Sequence, residues 1–101
     1  SALRRIFTEV FGADAQSPSD EIEIFVLEGG ARIGAFYVTP EEALARAEAK
    51  KGAWIELVVD DPARVRAQLA ALGVEPFAYH DRAHDYYQLP GGQPLRVAPQ
   101  S

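Results

Sequence analysis

Residues 79 to 87, YHDRAHDYY, hold both of the chain's histidines, His80 and His84, together with Asp81, Asp85, Arg82 and three tyrosines. Imidazoles and carboxylates at that density are what a divalent metal site or an acid/base pair would use. Only two imidazoles are present, however, and Asp-Arg-Ala has the composition of a chain reversal. The stretch is therefore expected to end one strand at Tyr79-His80, turn at 81–83 with its charges in solvent, and begin the next strand at His84. His80 and His84 would then flank the turn as near cross-strand neighbours. Tyr86, at the inward end, is the member expected to touch a ligand.

Other chemistry-bearing groupings are less specific. Glu41/Glu42 and Asp60/Asp61 are paired carboxylates, yet both pairs fall at expected helix starts, where acids favour the positive end of the helix dipole. EGGA (28–31) and PGGQ (90–93) are glycine-rich but lack the strand-to-helix context of a phosphate loop, and they read as hairpin turns. No serine stands in a nucleophile-elbow motif. The absence of cysteine excludes disulfides, thiolate metal sites and a cysteine nucleophile, and it fits a cytoplasmic location.

Positioning these residues falls to elements that are most legible between Trp54 and Tyr79. WIELVV is β-branched and apolar enough for a buried strand, and DDP after it supplies an Asp N-cap with Pro62 at the first helical position. Val65, Leu69 and Leu72 then recur on one helical face, and Gly73 offers the left-handed stop. Three extended runs, VEPFAY, HDYYQL and PLRVA, complete a β-α-β-β-β order.

The first half repeats part of this order. FVLEGGARI (25–33) matches YQLPGGQPL (87–95), and Leu3, Phe7 and Val10 stand opposite Val65, Leu69 and Leu72. Leu3, Ile6, Phe7, Val10 and Phe11 form one apolar stripe, so a helix is expected there. ADAQSPSDE reads as loop, and nothing ahead of Ser1 matches WIELVV, so the first copy is expected to be incomplete. Between the copies, TPEEALARAEAKKG carries a Thr39/Glu42 capping box and reads as a short, mostly exposed helix over 40–52 whose only large apolar residue is Leu44.

At 101 residues, 48% hydrophobic and 25% charged, the chain has the make-up of a single globular domain over 1–101: a degenerate first unit (1–39), a connecting helix (40–52) and a complete unit (53–98). A net charge of -5 with scattered basic residues argues against nucleic acid as a partner. No apolar run is long enough to span a bilayer. The chain has no Met, even at position 1, which leaves room for native residues upstream of Ser1.

Two tandem units, with WIELVVDDPARVRAQLAALGVEPF and YYQLPGGQPLRV in the second, resemble the vicinal oxygen chelate superfamily of glyoxalase I, bleomycin-resistance proteins and extradiol dioxygenases. The resemblance implies an α+β fold in which tandem βαβββ units curve a mixed sheet around a cavity, with helices packed outside. It also implies a divalent metal held from the strands in the enzymes. Here the departures matter: the position where metal-binding members offer a strand His is Trp54, and the position of their Glu is Arg96, with Gly34 as its counterpart in the first copy. Neither Trp nor Arg can ligate a cation in that role, so no metal and no cofactor are expected at the family's site.

Strand alternation then sorts the side chains. With Ile55, Leu57 and Val59 packed on the helix, Trp54, Glu56 and Val58 point away from it. Likewise Tyr87, Leu89, Leu95 and Val97 belong to the core, while Tyr86, Gln88 and Arg96 face the cavity. Trp54, Glu56, Tyr86, Gln88 and Arg96 are accordingly the expected ligand-binding set, offering flat apolar surface with a few orienting polar groups. The alternative is that Glu56 and Arg96 simply pair and Trp54 fills the space. The sequence leads to a metal-independent small-molecule binding protein, expected to be a homodimer, that would sequester a small polar or cationic aromatic compound. A metal-dependent lyase or dioxygenase with ligands relocated to Glu56, His80 and His84, and a non-binding structural module, stay open beside it.

Overall fold

The computed structural model describes residues 1–37, 39–79 and 81–100. Its first helix, α1 (Ala2–Arg5), is capped by the Ser1 hydroxyl, which accepts from Arg4 N, and runs on into a π-helical stretch, Ile6–Val10. The predicted stripe buries Ile6 and Phe7 completely, with Leu3, Val10 and Phe11 packed at its margins. Gly12, at a φ of 68°, ends the helix by a left-handed turn.

Three antiparallel strands follow: β1 (Asp14–Ser19), β2 (Ile22–Val26) and β3 (Arg32–Phe36), in the order β1-β2-β3. β1 corrects the reading of this segment as loop. Its polar, serine-rich sequence has little strand propensity of its own, but the ladder to β2 (Asp14 opposite Val26, Gln16 opposite Ile24) supplies the hydrogen bonds, with a register shift before Ser19.

The segment expected to be a helix over 40–52 forms only one helical turn, α2 (Arg46–Ala49). Glu42 does accept from the Thr39 N–H and hydroxyl at 3.1 and 2.9 Å, yet the capped turn does not propagate. Too few apolar residues anchor it: Leu44 is half exposed and Ala49 alone is buried, and a helix this short is not stable without tertiary contacts.

In the second half β4 (Ile55–Val59), α3 (Pro62–Ala71), β5 (Asp85–Gln88) and β6 (Pro94–Pro99) fall where expected. Asp61 caps α3 by accepting from Arg64 N, Pro62 takes the first position, and Gly73 closes the helix at a φ of 82°. The strand expected at VEPFAY is reduced to one bridge, Phe77 to Tyr86, because Pro76 removes a donor just before it. The sheet order is β4-β6-β5, with β4 parallel and β5 antiparallel to β6.

The internal repeat is carried down to individual hydrogen bonds. Leu27 N donates to Ala31 O and Gly30 N to Leu27 O in the first hairpin; Leu89 N donates to Gln93 O and Gly92 N to Leu89 O in the second. Gly29, Gly30, Gly91 and Gly92 all take the positive φ that these reversals require. Ile6, Phe7 and Phe25 from the first half join Val65, Leu69, Tyr87, Leu95 and Val97 from the second in one core, with α1's π-helical end packed on α3. The tandem α+β architecture is thus present; the two three-stranded sheets remain separate and are not closed on one another.

Candidate functional site

Register alone brings three of the expected residues into line. Glu56 on β4 lies opposite Arg96 on β6, and Arg96 lies opposite Tyr86 on β5, so the three form one row across the sheet on the face turned away from α3. The alternation argument holds on both faces: Tyr87, Leu89, Leu95 and Val97 are buried, whereas Val58 is 58% exposed.

Arg96 is the hub. Its Nε and Nη2 each lie 2.5 Å from Glu56 Oε1, and its Nη1 donates to the Tyr86 hydroxyl at 3.2 Å. The guanidinium carbon stands 4.0 Å from the centroid of the Trp54 ring, a cation–π contact. Trp54 meets Tyr86 edge-on at 6.1 Å, and Tyr79 stacks on the other side of Tyr86 at 4.6 Å. Tyr86 is consequently 2% exposed, whereas Trp54 keeps 37% of its surface in solvent. The Tyr86 hydrogen bond first, and Glu56 second, hold the Arg96 guanidinium above its ordinary value.

Asp81 corrects the expectation that the 81–83 turn carries only solvated charges. Its Oδ1 accepts from Ala83 N at 2.7 Å, while Oδ2 lies 2.6 Å from His84 Nδ1 and accepts from the Tyr86 hydroxyl at 3.3 Å. The same oxygen is 3.5 Å from Arg96 Nη1. The Ala83 N–H, then the His84 ring, keep the Asp81 carboxyl below its usual range. Strand β5 begins at Asp85, one residue later than expected, because His84 belongs to this turn network. His80 lies outside the described residues.

Gln88 is the expected member that the structure separates. Its cross-strand neighbour is Pro94, which has no polar group to share. Its side-chain amide instead donates to Leu44 O at 3.0 Å and accepts from Arg46 Nε at 3.2 Å, so it anchors the 44–46 segment to the sheet. Tyr79 and Asp81 were missed as site residues. Tyr79 lies beyond the end of any regular strand, and Asp81 sits in a turn whose direction depends on how the chain leaves Phe77, so alternation could reach neither.

The cluster opposes two carboxylates, Glu56 and Asp81, to one guanidinium, beside three aromatic rings. Counting those carboxylates and the guanidinium, its formal charge is -1, the same sign as the whole chain's -5. Among the described residues no group of three or more His, Cys, Asp or Glu side chains is arranged to hold a metal ion, and Glu56, one of the relocated ligands considered above, is taken up by Arg96. No helix among the described residues is long and apolar enough to cross a membrane.

No family model matches the chain, and no curated protein matches it in sequence. Solved structures do match its fold. Fosfomycin resistance protein FosX from Mesorhizobium loti superposes with a TM-score of 0.71 at 16% identity, over 99% of this chain and 82% of that one. A glyoxylase/bleomycin resistance protein/dioxygenase domain from Frankia sp. EAN1pec gives 0.68 at 13% identity, over 99% and 87%. A possible glyoxalase from Bacillus cereus gives 0.67 at 17%, over 96% and 86%.

Proposed function

We propose that this chain, whose fold is that of the vicinal oxygen chelate proteins, binds a small aromatic or cationic organic molecule on the open face of the β4-β6-β5 sheet, without a metal. The observation that carries this reading is the half-exposed Trp54 ring, stacked with Arg96 and edged by Tyr86, within a cluster whose carboxylates outnumber its guanidinium. Trp54 supplies flat apolar surface, and Glu56 and Asp81 supply charge complementarity. Arg96, tied to both acids, sets the polarity of the site. A ligand that stacks on Trp54 competes with the guanidinium for that ring. Sequestration is the role proposed, since among the described residues the polar side chains of the cluster are engaged with one another.

The same reading takes the protein as a cytoplasmic homodimer. Phe36 (64% exposed) and Val58 (58%) leave apolar surface on the strands that a second copy would cover. Sedimentation at micromolar concentration should therefore give a dimer mass.

Trp54 is the chain's only tryptophan, so its fluorescence reports the site directly. Titration with N-methylquinolinium or benzamidine should quench it saturably, with unchanged affinity after dialysis against EDTA, while benzoate should have little effect. A response that needs added Mn, Fe, Ni or Zn would overturn the metal-independent reading. The closed Glu56–Arg96 pair favours one competing reading, a filled and non-binding module; a flat titration across the whole panel would establish it.

A further inference from the structure

One carboxylate oxygen joins the open-face cluster to the turn beside it. Asp81 Oδ2 lies 2.6 Å from His84 Nδ1, accepts from the Tyr86 hydroxyl at 3.3 Å and stands 3.5 Å from Arg96 Nη1. The imidazole therefore meets the cluster on an atom that two of its members already use. The His84 and Asp81 side chains are 30% and 32% exposed, so a proton can reach the pair from solvent. Around them stand Tyr86 of β5, with Tyr79 stacked on its ring, Arg96 of β6, and Glu56 of β4 beyond Arg96. Of the neighbours along the chain, Asp85 turns away to Arg66 and to the Tyr87 hydroxyl. Arg82 makes no ion pair among the described residues.

An imidazole is the side chain that changes charge between about pH 5 and 8. The other two ends of this junction keep theirs in that window. The Ala83 N–H first, and His84 second, hold the Asp81 carboxyl below its usual range, and the Arg96 guanidinium is held above its own by the Tyr86 hydrogen bond first. We propose that protonation of His84 releases a cation held at this face, because an imidazolium paired to Asp81 cancels the net negative charge that Glu56 and Asp81 leave over Arg96. The inference rests on the cation-binding reading above and adds its control. Proton and ligand then compete through Asp81, each weakening the other by the same factor. A flat uncharged molecule, which uses the Trp54 ring without the carboxylates, is indifferent to the change.

Equilibrium dialysis at low ionic strength tests this with N-methylquinolinium, whose charge is permanent, and with 2-naphthol, uncharged at both pH values used. From pH 8 to pH 5.5 the affinity for N-methylquinolinium should fall roughly threefold to tenfold, the effect of one added charge several ångströms away, and that for 2-naphthol should not change. His84→Asn should bind the cation equally at both pH values, whereas His80→Asn should keep the full pH dependence. In the unaltered chain, the His84 ring followed by NMR should titrate at lower pH when N-methylquinolinium is saturating. Cation binding that is equal at both pH values, a parallel fall for 2-naphthol, or pH dependence that survives in His84→Asn would overturn the proposal and leave the binding reading standing. A His84 titration that ignores the ligand would do the same. Absence of cation binding at either pH would overturn both.

Discussion

Replacing Arg96 with Met keeps the length and apolar volume of the side chain while removing its charge and all five donors. Four interactions go with them: the ion pair to Glu56 at 2.5 Å, the longer contact to Asp81 at 3.5 Å, the hydrogen bond to the Tyr86 hydroxyl at 3.2 Å, and the stacking over Trp54 at 4.0 Å. The Arg96 and Glu56 side chains are 21% and 33% exposed, so the pair is screened and contributes only about 1 kcal/mol. The stacking and the hydrogen bond contribute about 1 kcal/mol each. Met recovers part of this by packing on Trp54, which leaves an expected loss of about 2 kcal/mol in urea denaturation followed by circular dichroism. Glu56→Gln should cost less, roughly 1 kcal/mol, because Asp81 remains to partner Arg96. The double variant tests the logic. If Glu56 and Arg96 act mainly on one another, the pair of changes together should cost about 1 kcal/mol less than their sum. Additivity within about 0.3 kcal/mol, or an Arg96→Met cost below about 0.5 kcal/mol, would refute Arg96 as the hub of this face.

Three further outcomes are expected. Gly92→Ala forces a side chain into a φ of 107° and against Leu44, both its Cβ and its carbonyl oxygen; it should cost at least about 2 kcal/mol and release the 44–46 segment, seen as faster amide exchange at Leu44. Leu69→Ala removes a fully buried side chain from the core and should cost about 2–5 kcal/mol by the same urea assay. Burial first, and Asp85 second, push the Tyr87 hydroxyl from 10.0 up to about 12. The neutral phenol is therefore favoured in the folded state, and the stability it contributes is complete below pH 10 and lost as pH rises from about 10 to about 12. Tyr87→Phe should flatten that alkaline limb in a pH series of urea midpoints.

Much of the fold follows from short-range chemistry and was legible as such. Asp61 and Pro62 start α3, Gly73 stops it, and the paired glycines at 29–30 and 91–92 turn the two hairpins. These are local events, each governed by the backbone freedom of one or two residues. Alternation separated Tyr87, Leu95 and Val97 from Glu56 and Arg96 because the side-chain period of a strand is two whatever the strand pairs with. The failures lie where local signals are weak and a partner decides. β1 exists because β2 offers it a ladder, and the 40–52 segment is not one helix because little apolar surface anchors it. VEPFAY shrank to a bridge at Phe77 when proline removed its donor.

The same division runs through the site. Which residues could meet on the open face, Trp54, Glu56, Tyr86 and Arg96, was settled by the sequence, because strand periodicity and the hairpin turn set the sides of β4, β5 and β6. Tertiary structure decided which of them do meet, and with what charge. Registering β6 between β4 and β5 put Glu56, Arg96 and Tyr86 in one row and left Gln88 facing Pro94. The path of the chain after Phe77 then turned Asp81 inward and laid Tyr79 on Tyr86. Those contacts depend on distances between residues far apart in the chain, and no local pattern encodes them.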